Sequence, residues 1–141
     1  TVFTRSILGK LIGVDGMLRL TLFCDVLCNN NLADTLTMRI NWGGSVPLLT
    51  EANMAPAALS ATRRILSVQV LLANRNSIDS QNVMYRVESD VNLDNGQPVL
   101  VGLAQDTMPT GGPHTLAVTF QWSAASADNS LRVFQSVLEK I

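Results

Sequence analysis

Few side chains in this sequence have the chemistry of a catalyst or a metal ligand, and their spacing decides what they can do. The lone histidine, His114, follows Pro113 in a Gly-rich stretch with no serine or cysteine motif beside it. A nucleophilic triad is recognised by geometry, but nothing local proposes one, and a loop histidine facing solvent is the simpler expectation. Cys24 and Cys28 with that one histidine fall short of the four ligands of a structural zinc site. Asp90-x-Asn92-x-Asp94 opens like a calcium loop, yet Asn95 and Val101 stand where an EF-hand needs Gly and Glu. Asp25, Asp34 and Asp128 are candidates for a glycosidase carboxylate pair only if folding sets them at the required separation, and solvated turn carboxylates are commoner. No catalytic residue, metal or cofactor is therefore expected. The chain reads as a non-enzyme that works by shape and surface.

The elements that carry these residues are legible from alternation. In the stretch from Gly13 to Trp42, Leu18, Leu20, Leu22, Cys24 and Val26 share one face of an extended segment, with Arg19, Thr21, Phe23 and Asp25 on the other. Leu36, Met38, Ile40 and Trp42 repeat the pattern after an Asn-rich connection, and the two segments read as a half-buried antiparallel pair. Further strands are expected over 2–8, 64–72, 82–88, 99–103, 115–122 and 131–141. The Ala-, Met- and Pro-rich stretch between Leu48 and Thr62 reads as a crossover loop, because Pro56 and the lack of helical spacing disfavour a long helix. Asp94-Asn95-Gly96 is a hairpin or loop signal. About eight strands with short turns make a single all-β antiparallel sandwich or jelly roll over residues 1–141 the most economical fold.

Trp42 and Trp122 end alternating strands on the apolar face, so core packing is expected of both, in preference to sugar stacking. Phe23 lies opposite the apolar face of its strand. With Met17, Arg19 and Thr21 it forms the candidate subunit interface. The stretch from Arg64 to Leu72 is partly apolar on both faces, which points to contact on both sides.

Composition narrows the function classes. A chain of 141 residues buries roughly two-thirds of its unfolded surface without staples. Its apolar runs fall far short of the roughly 18 residues of a membrane helix, so a soluble protein is expected. The start, Thr1 to Ser6, has neither a secretory pattern nor an initiator Met, and is expected to be processed or part of something longer. Charged residues make up 15% of the chain with a net charge of −1, and only Arg63 and Arg64 are adjacent, so the basic face of a nucleic-acid binder is not expected. Low charge on an apolar chain leaves uncharged outward surface of the kind that neighbouring subunits cover. In an extended strand the α-carbons of Cys24 and Cys28 stand roughly 13 Å apart, too far for a bridge, so free and mostly buried thiols are expected.

The order Ile12-Gly13-Val14-Asp15-Gly16-Met17-Leu18-Arg19-Leu20, then Asn29-Asn30-Asn31, Thr35 to Ile40 and Gly43-Gly44 resembles the β-rich domains of tailed-bacteriophage structural proteins. So does the end, from His114 through Trp122 to Asn129-Ser130 and Leu138-Glu139, which is similar to their closing hairpin. The resemblance implies a jelly-roll domain on a virion, trimeric, with itself and other virion proteins such as the major capsid protein as partners. The leading reading is an oligomeric capsid cement or decoration protein that stabilises the shell. The alternative is a tail-fibre or head-fibre domain that binds a host-surface glycan, with candidate ligand-binding loops at Asn29, Asn30 and Asn31, at Asn74 and Asn76, and at Asp106 and His114.

Overall fold

Period-two alternation produces nine strands in the computed structural model, which describes residues 2–9, 11–44, 47–77, 79–107 and 112–141. They are β1 (Val2–Ile7), β2 (Met17–Cys28), β3 (Leu36–Trp42), β4 (Leu49–Glu51), β5 (Ser60–Asn74), β6 (Gln81–Ser89), β7 (Val99–Asp106), β8 (His114–Trp122) and β9 (Asn129–Lys140). All neighbours run antiparallel, in a four-stranded sheet of order β1-β8-β3-β4 and a five-stranded sheet of order β7-β6-β5-β2-β9. The expected all-β sandwich is thus the architecture. The extra strand, β4, lies in the stretch read as a crossover loop; three residues are too few for alternation to register.

The inward residues of both sheets make one core. Leu18, Leu20, Leu22, Cys24 and Val26 of β2 and Leu66, Val68, Val70 and Leu72 of β5 are buried, as are Leu36, Met38, Ile40 and Trp42 of β3 and Leu116, Val118 and Phe120 of β8. Burying each such aliphatic side chain contributes about 1.5–3 kcal/mol before conformational entropy is counted. Trp122 packs half-buried against this core, so both tryptophans are packing residues. Both cysteines are free and buried, as expected.

Two pairings differ from the sequence reading. β2 and β3 are not a hairpin: β2 pairs with β5 and β9, while β3 pairs with β8 and β4. Their alternation is real, but each faces the core from its own sheet, because the Asn-rich connection carries the chain across the sandwich instead of folding it back. Buried Asp34 anchors that arch, accepting hydrogen bonds at 2.6 Å from the side-chain amides of both Asn30 and Asn129. Likewise β8 and β9, expected as a closing hairpin, stand in different sheets. The Asp94-Asn95-Gly96 signal does mark a hairpin connection, between β6 and β7, with Gly96 at φ 77°. The Gly43-Gly44-Ser45 turn lies partly outside the described residues, as does the Pro109–Pro113 stretch.

Long connections plug the two ends. At one, Met54, Ala55 and Leu93 are buried, held by Met54 N–H donating to Leu36 O at 3.2 Å and by a bridge between Pro56 and Leu93. At the other, buried Ile12 closes the core within a turn that uses Gly13 at φ 74°. Gly16 is needed there for space, since a Cβ on it would fall 1.6 Å from the carbonyl oxygen of Ile12. Asn74 secures the turn through its main-chain N–H to Gly16 O at 3.0 Å and its side-chain amide to Gly13 O.

Candidate interaction surface

The two outer faces of the sandwich differ in character. On the four-stranded sheet, cross-strand register sets Thr37, Arg39 and Asn41 beside Thr119, Gln121 and Ala117 of β8, with Thr4 and Ser6 of β1 beyond them. That face is short and polar, with Arg39 donating to Gln121 at 2.8 Å. The five-stranded sheet turns large apolar side chains outward: Phe23 is 47% exposed, Ile65 64%, Val101 70%, Leu103 59% and Phe134 65%.

The residues expected at a subunit contact lie on this face, one strand in from its β9 edge. β2 runs between β5 and β9, so Phe23 sits opposite Ser67 and Gln135, Thr21 opposite Gln69 and Val137, and Arg19 opposite Leu71 and Glu139. Met17, opposite Ala73, closes the row. Arg19 Nε meets Glu139 Oε1 at 2.9 Å, an exposed pair of the kind that adds little to stability. Sequence reasoning noticed the outward side of β5 but missed Val101, Leu103 and Phe134. In Val99-Leu100-Val101-Gly102-Leu103 both phases are apolar, which is itself a sign of contact on two sides. Phe134 is the extra residue of a bulge where the register of β9 slips between Phe23 and Cys24, and no local pattern announces it.

A charged knot lies beside the aromatic part of the face. Asp25 is buried although its phase points outward, and two arginines hold it: Arg63 Nη1 at 2.7 Å and Arg132 Nε at 2.9 Å reach Oδ1, while Arg132 Nη2 reaches Oδ2. The bonds from Arg132, then those from Arg63, outweigh the opposing effect of burial and hold the Asp25 carboxyl below its usual range. Arg132 also stacks over the Phe134 ring, 5.3 Å from its centroid, and Arg63 reaches Ser130. Asp25 is thereby a structural anion with its oxygens occupied, unsuited to general-base work.

Toward β7 the face dips into a cavity of about 410 Å³ floored by Tyr85 and Gly102 and walled by Gln69, Leu71, Met84, Arg86, Val101 and Leu103. Tyr85 reaches through the sandwich, and its hydroxyl donates to Glu51 Oε2 at 2.5 Å. Burial, then the bond to Glu51, pushes the phenol up. Burial opposes ionisation of Glu51, but the bonds from Tyr85 and Asn53 prevail and hold its carboxyl down.

The remaining reactive groups are dispersed. His114 is half-buried, its ring 5.5 Å from that of Trp42. Asp90 Oδ1 accepts from Ile65 N–H at 3.0 Å, so it serves the β5 backbone. Burial, reinforced by Asp25, pushes the Cys24 thiol up to about 12, and burial also raises Cys28. Among the described residues no group of three or more His, Cys, Asp or Glu side chains is placed to hold a metal ion.

The candidate ligand loops fall at opposite ends of the sandwich. Asn29, Asn30 and Asn31 follow β2 at the end where β9 begins, with Asn29 N–H donating to Asp128 O at 3.0 Å. Asn74, Asn76 and Asp106 lie at the other end, where Gln81 is opposite both Asn74 and Asp106, and His114 starts β8 there opposite Ile7. Asn74 is buried in support of the Gly13 turn, whereas Asn76 is exposed at φ 52°. All seven aromatic side chains, Phe3, Phe23, Trp42, Tyr85, Phe120, Trp122 and Phe134, belong to strands.

Compared with known proteins, the chain matches no protein-family model and no curated protein. Among solved structures, one described as the CBM2 module of the evolved Dit of Lactobacillus casei BL23 phage J-1 aligns with it at a TM-score of 0.49 and 10% identity, over 99% of this chain and 68% of that one. A likeness of that strength leaves the outer face of the five-stranded sheet as the feature from which function is argued.

Proposed function

We infer that this chain is a non-enzymatic structural protein of a bacteriophage virion, an oligomeric sandwich that acts by covering the outer face of its five-stranded sheet. The observation that carries assembly is the contrast between the two outer faces: Phe23, Ile65, Val101, Leu103 and Phe134 stand exposed on one, and short polar side chains fill the other. Leaving such a face in water is unfavourable by about 25 cal/mol per Å² of apolar surface, and a contact between subunits removes that term. The virion, the jelly-roll path and the trimer come from the sequence resemblance and belong to the same proposal.

Within it, a capsid cement or decoration protein is the leading role. A glycan-binding fibre domain would use loops, and with every aromatic residue on a strand the loops supply hydrogen bonds but no stacking platform. Light scattering on the eluting protein tests assembly: a trimer is expected, and a strict monomer at high concentration sinks the reading. Saturable binding to undecorated capsids with a blank glycan array supports the cement role, and the reverse pattern transfers it to the fibre.

A further inference from the structure

The free side of β7 has the geometry of an unfinished sheet. Ser89 N–H donates to Pro98 O at 2.9 Å, and the β6–β7 register continues from that pair. In an antiparallel ladder the hydrogen-bonded pairs alternate, so Leu100, Gly102, Ala104 and Asp106 direct their main-chain groups at β6. Val99, Val101, Leu103 and Gln105 direct theirs outward, where no described strand pairs with them. Sheet edges are ordinarily guarded by brevity, charge, proline or a bulge. The other three edges follow that rule: β4 has three residues, β1 sets Arg5 in its inward row opposite Leu116, and β9 bulges at Phe134 and carries Arg132 and Lys140. From Val99 to Gln105, β7 has no charge, no proline and no bulge.

We propose that the free edge of β7 pairs antiparallel with the same edge of a second copy, on a two-fold axis at Gly102, joining two five-stranded sheets into one. The strand is self-complementary in this register. Val99 falls opposite Gln105 of the second copy and Val101 opposite its Leu103, and because all four residues direct their main-chain groups outward, every one of those pairs is hydrogen-bonded. The resulting set of about eight bonds lies within the roughly 10 ± 5 of a stable protein interface. No like charges meet across the axis, and Val101 and Leu103 of both copies merge with Met84 and Leu71 into one apolar strip. At the axis itself the two backbones approach to about 4.5 Å, with glycine at that position in each copy.

The inference rests on the assembly reading for the presence of a second copy and names a contact that reading leaves open. Its two-fold symmetry lets it act beside a three-fold association through the outer face. The test combines light scattering with amide hydrogen exchange on the full chain, Val101→Lys and Leu103→Pro. The proline deletes an N–H that faces away from β6, so the β6–β7 ladder keeps its bonds. The expected result is a mass that doubles on concentration in the parent protein and in neither variant, with the amides of Val99, Val101, Leu103 and Gln105 protected in the concentrated parent protein and exchanging at least about tenfold faster on dilution. Rapid exchange of those four amides in the concentrated parent protein overturns the edge pairing even where the protein associates. In Phe23→Lys, a mass that falls only to a dimer with the four amides still protected leaves the edge pairing standing while the outer-face contact fails, so the two readings fail separately.

Discussion

Tyr85 of β6 and Glu51 of β4 belong to different sheets, and the 2.5 Å hydrogen bond between them ties the sandwich together beside its open side. The bond exists because Gly102, opposite Tyr85 on β7, has no side chain to occupy the space of the ring. Removing the hydroxyl in Tyr85→Phe is expected to destabilise the fold by about 1–2 kcal/mol, the range for a charge-assisted bond to a partly exposed partner. Glu51 ionises below the ordinary glutamate value of 4.5 in the folded protein, so its contribution is present above that pH and is lost as pH falls through the lowered value. Urea titrations across that window should show a shallower acid slope in Tyr85→Phe than in the parent.

Gly102→Ala should be costly for a strand residue that looks interchangeable. An added Cβ falls 2.3 Å from Cε1 of Tyr85, a collision with a ring held by Glu51. A loss of about 1–3 kcal/mol is expected from overpacking. Combining it with Tyr85→Leu should be less than additive, as read by a double-mutant cycle. Full additivity would mean the two residues do not share the space.

Asp25→Asn leaves Arg63 and Arg132 without their anion. Because the folded protein holds this carboxyl down, its stabilisation is present above the ordinary value of 3.8 and disappears as pH drops through the folded one. The variant should lose roughly 1–2 kcal/mol at neutral pH and differ little from the parent in strong acid. An equal deficit at both pH values would contradict the role given to the charge.

Phe23→Lys places a charge among the apolar side chains of the outer face without touching the core. Stability should stay within about 0.5 kcal/mol while the mass by light scattering falls. Thr119→Lys, on the polar face of the other sheet, should leave the mass unchanged.

Cys24 and Cys28 should be inert in the native state, since the thiolate is the reactive form and burial raises both thiols, Cys24 to about 12. A thiol reagent at neutral pH is expected to label neither until denaturant is added. Rapid native labelling of Cys24 would contradict its place in the core.

Much of the fold was legible because the faces of a strand are written at a period of two. Leu18 to Val26, Leu66 to Leu72 and Leu116 to Phe120 each announced a buried face, and Asn95-Gly96 announced the β6–β7 hairpin. Phe23 marked the outer face for the same reason, lying on the wrong side of its strand to be core. Phe134 gave no such sign, because a bulge breaks the alternation that would have placed it. Asn74 read as a loop residue for a ligand, but the Gly13 turn it supports is distant in sequence.

The sequence by itself determined the strands, their inward faces and the near absence of reactive chemistry, since these depend on side-chain type and local period. The tertiary structure alone decided which strands pair, that β2 and β3 face each other across the core, and that β7 ends a sheet with its outward main-chain groups open. Those outcomes depend on the direction each connection takes and on contacts between segments far apart in the chain, and local alternation carries no record of either.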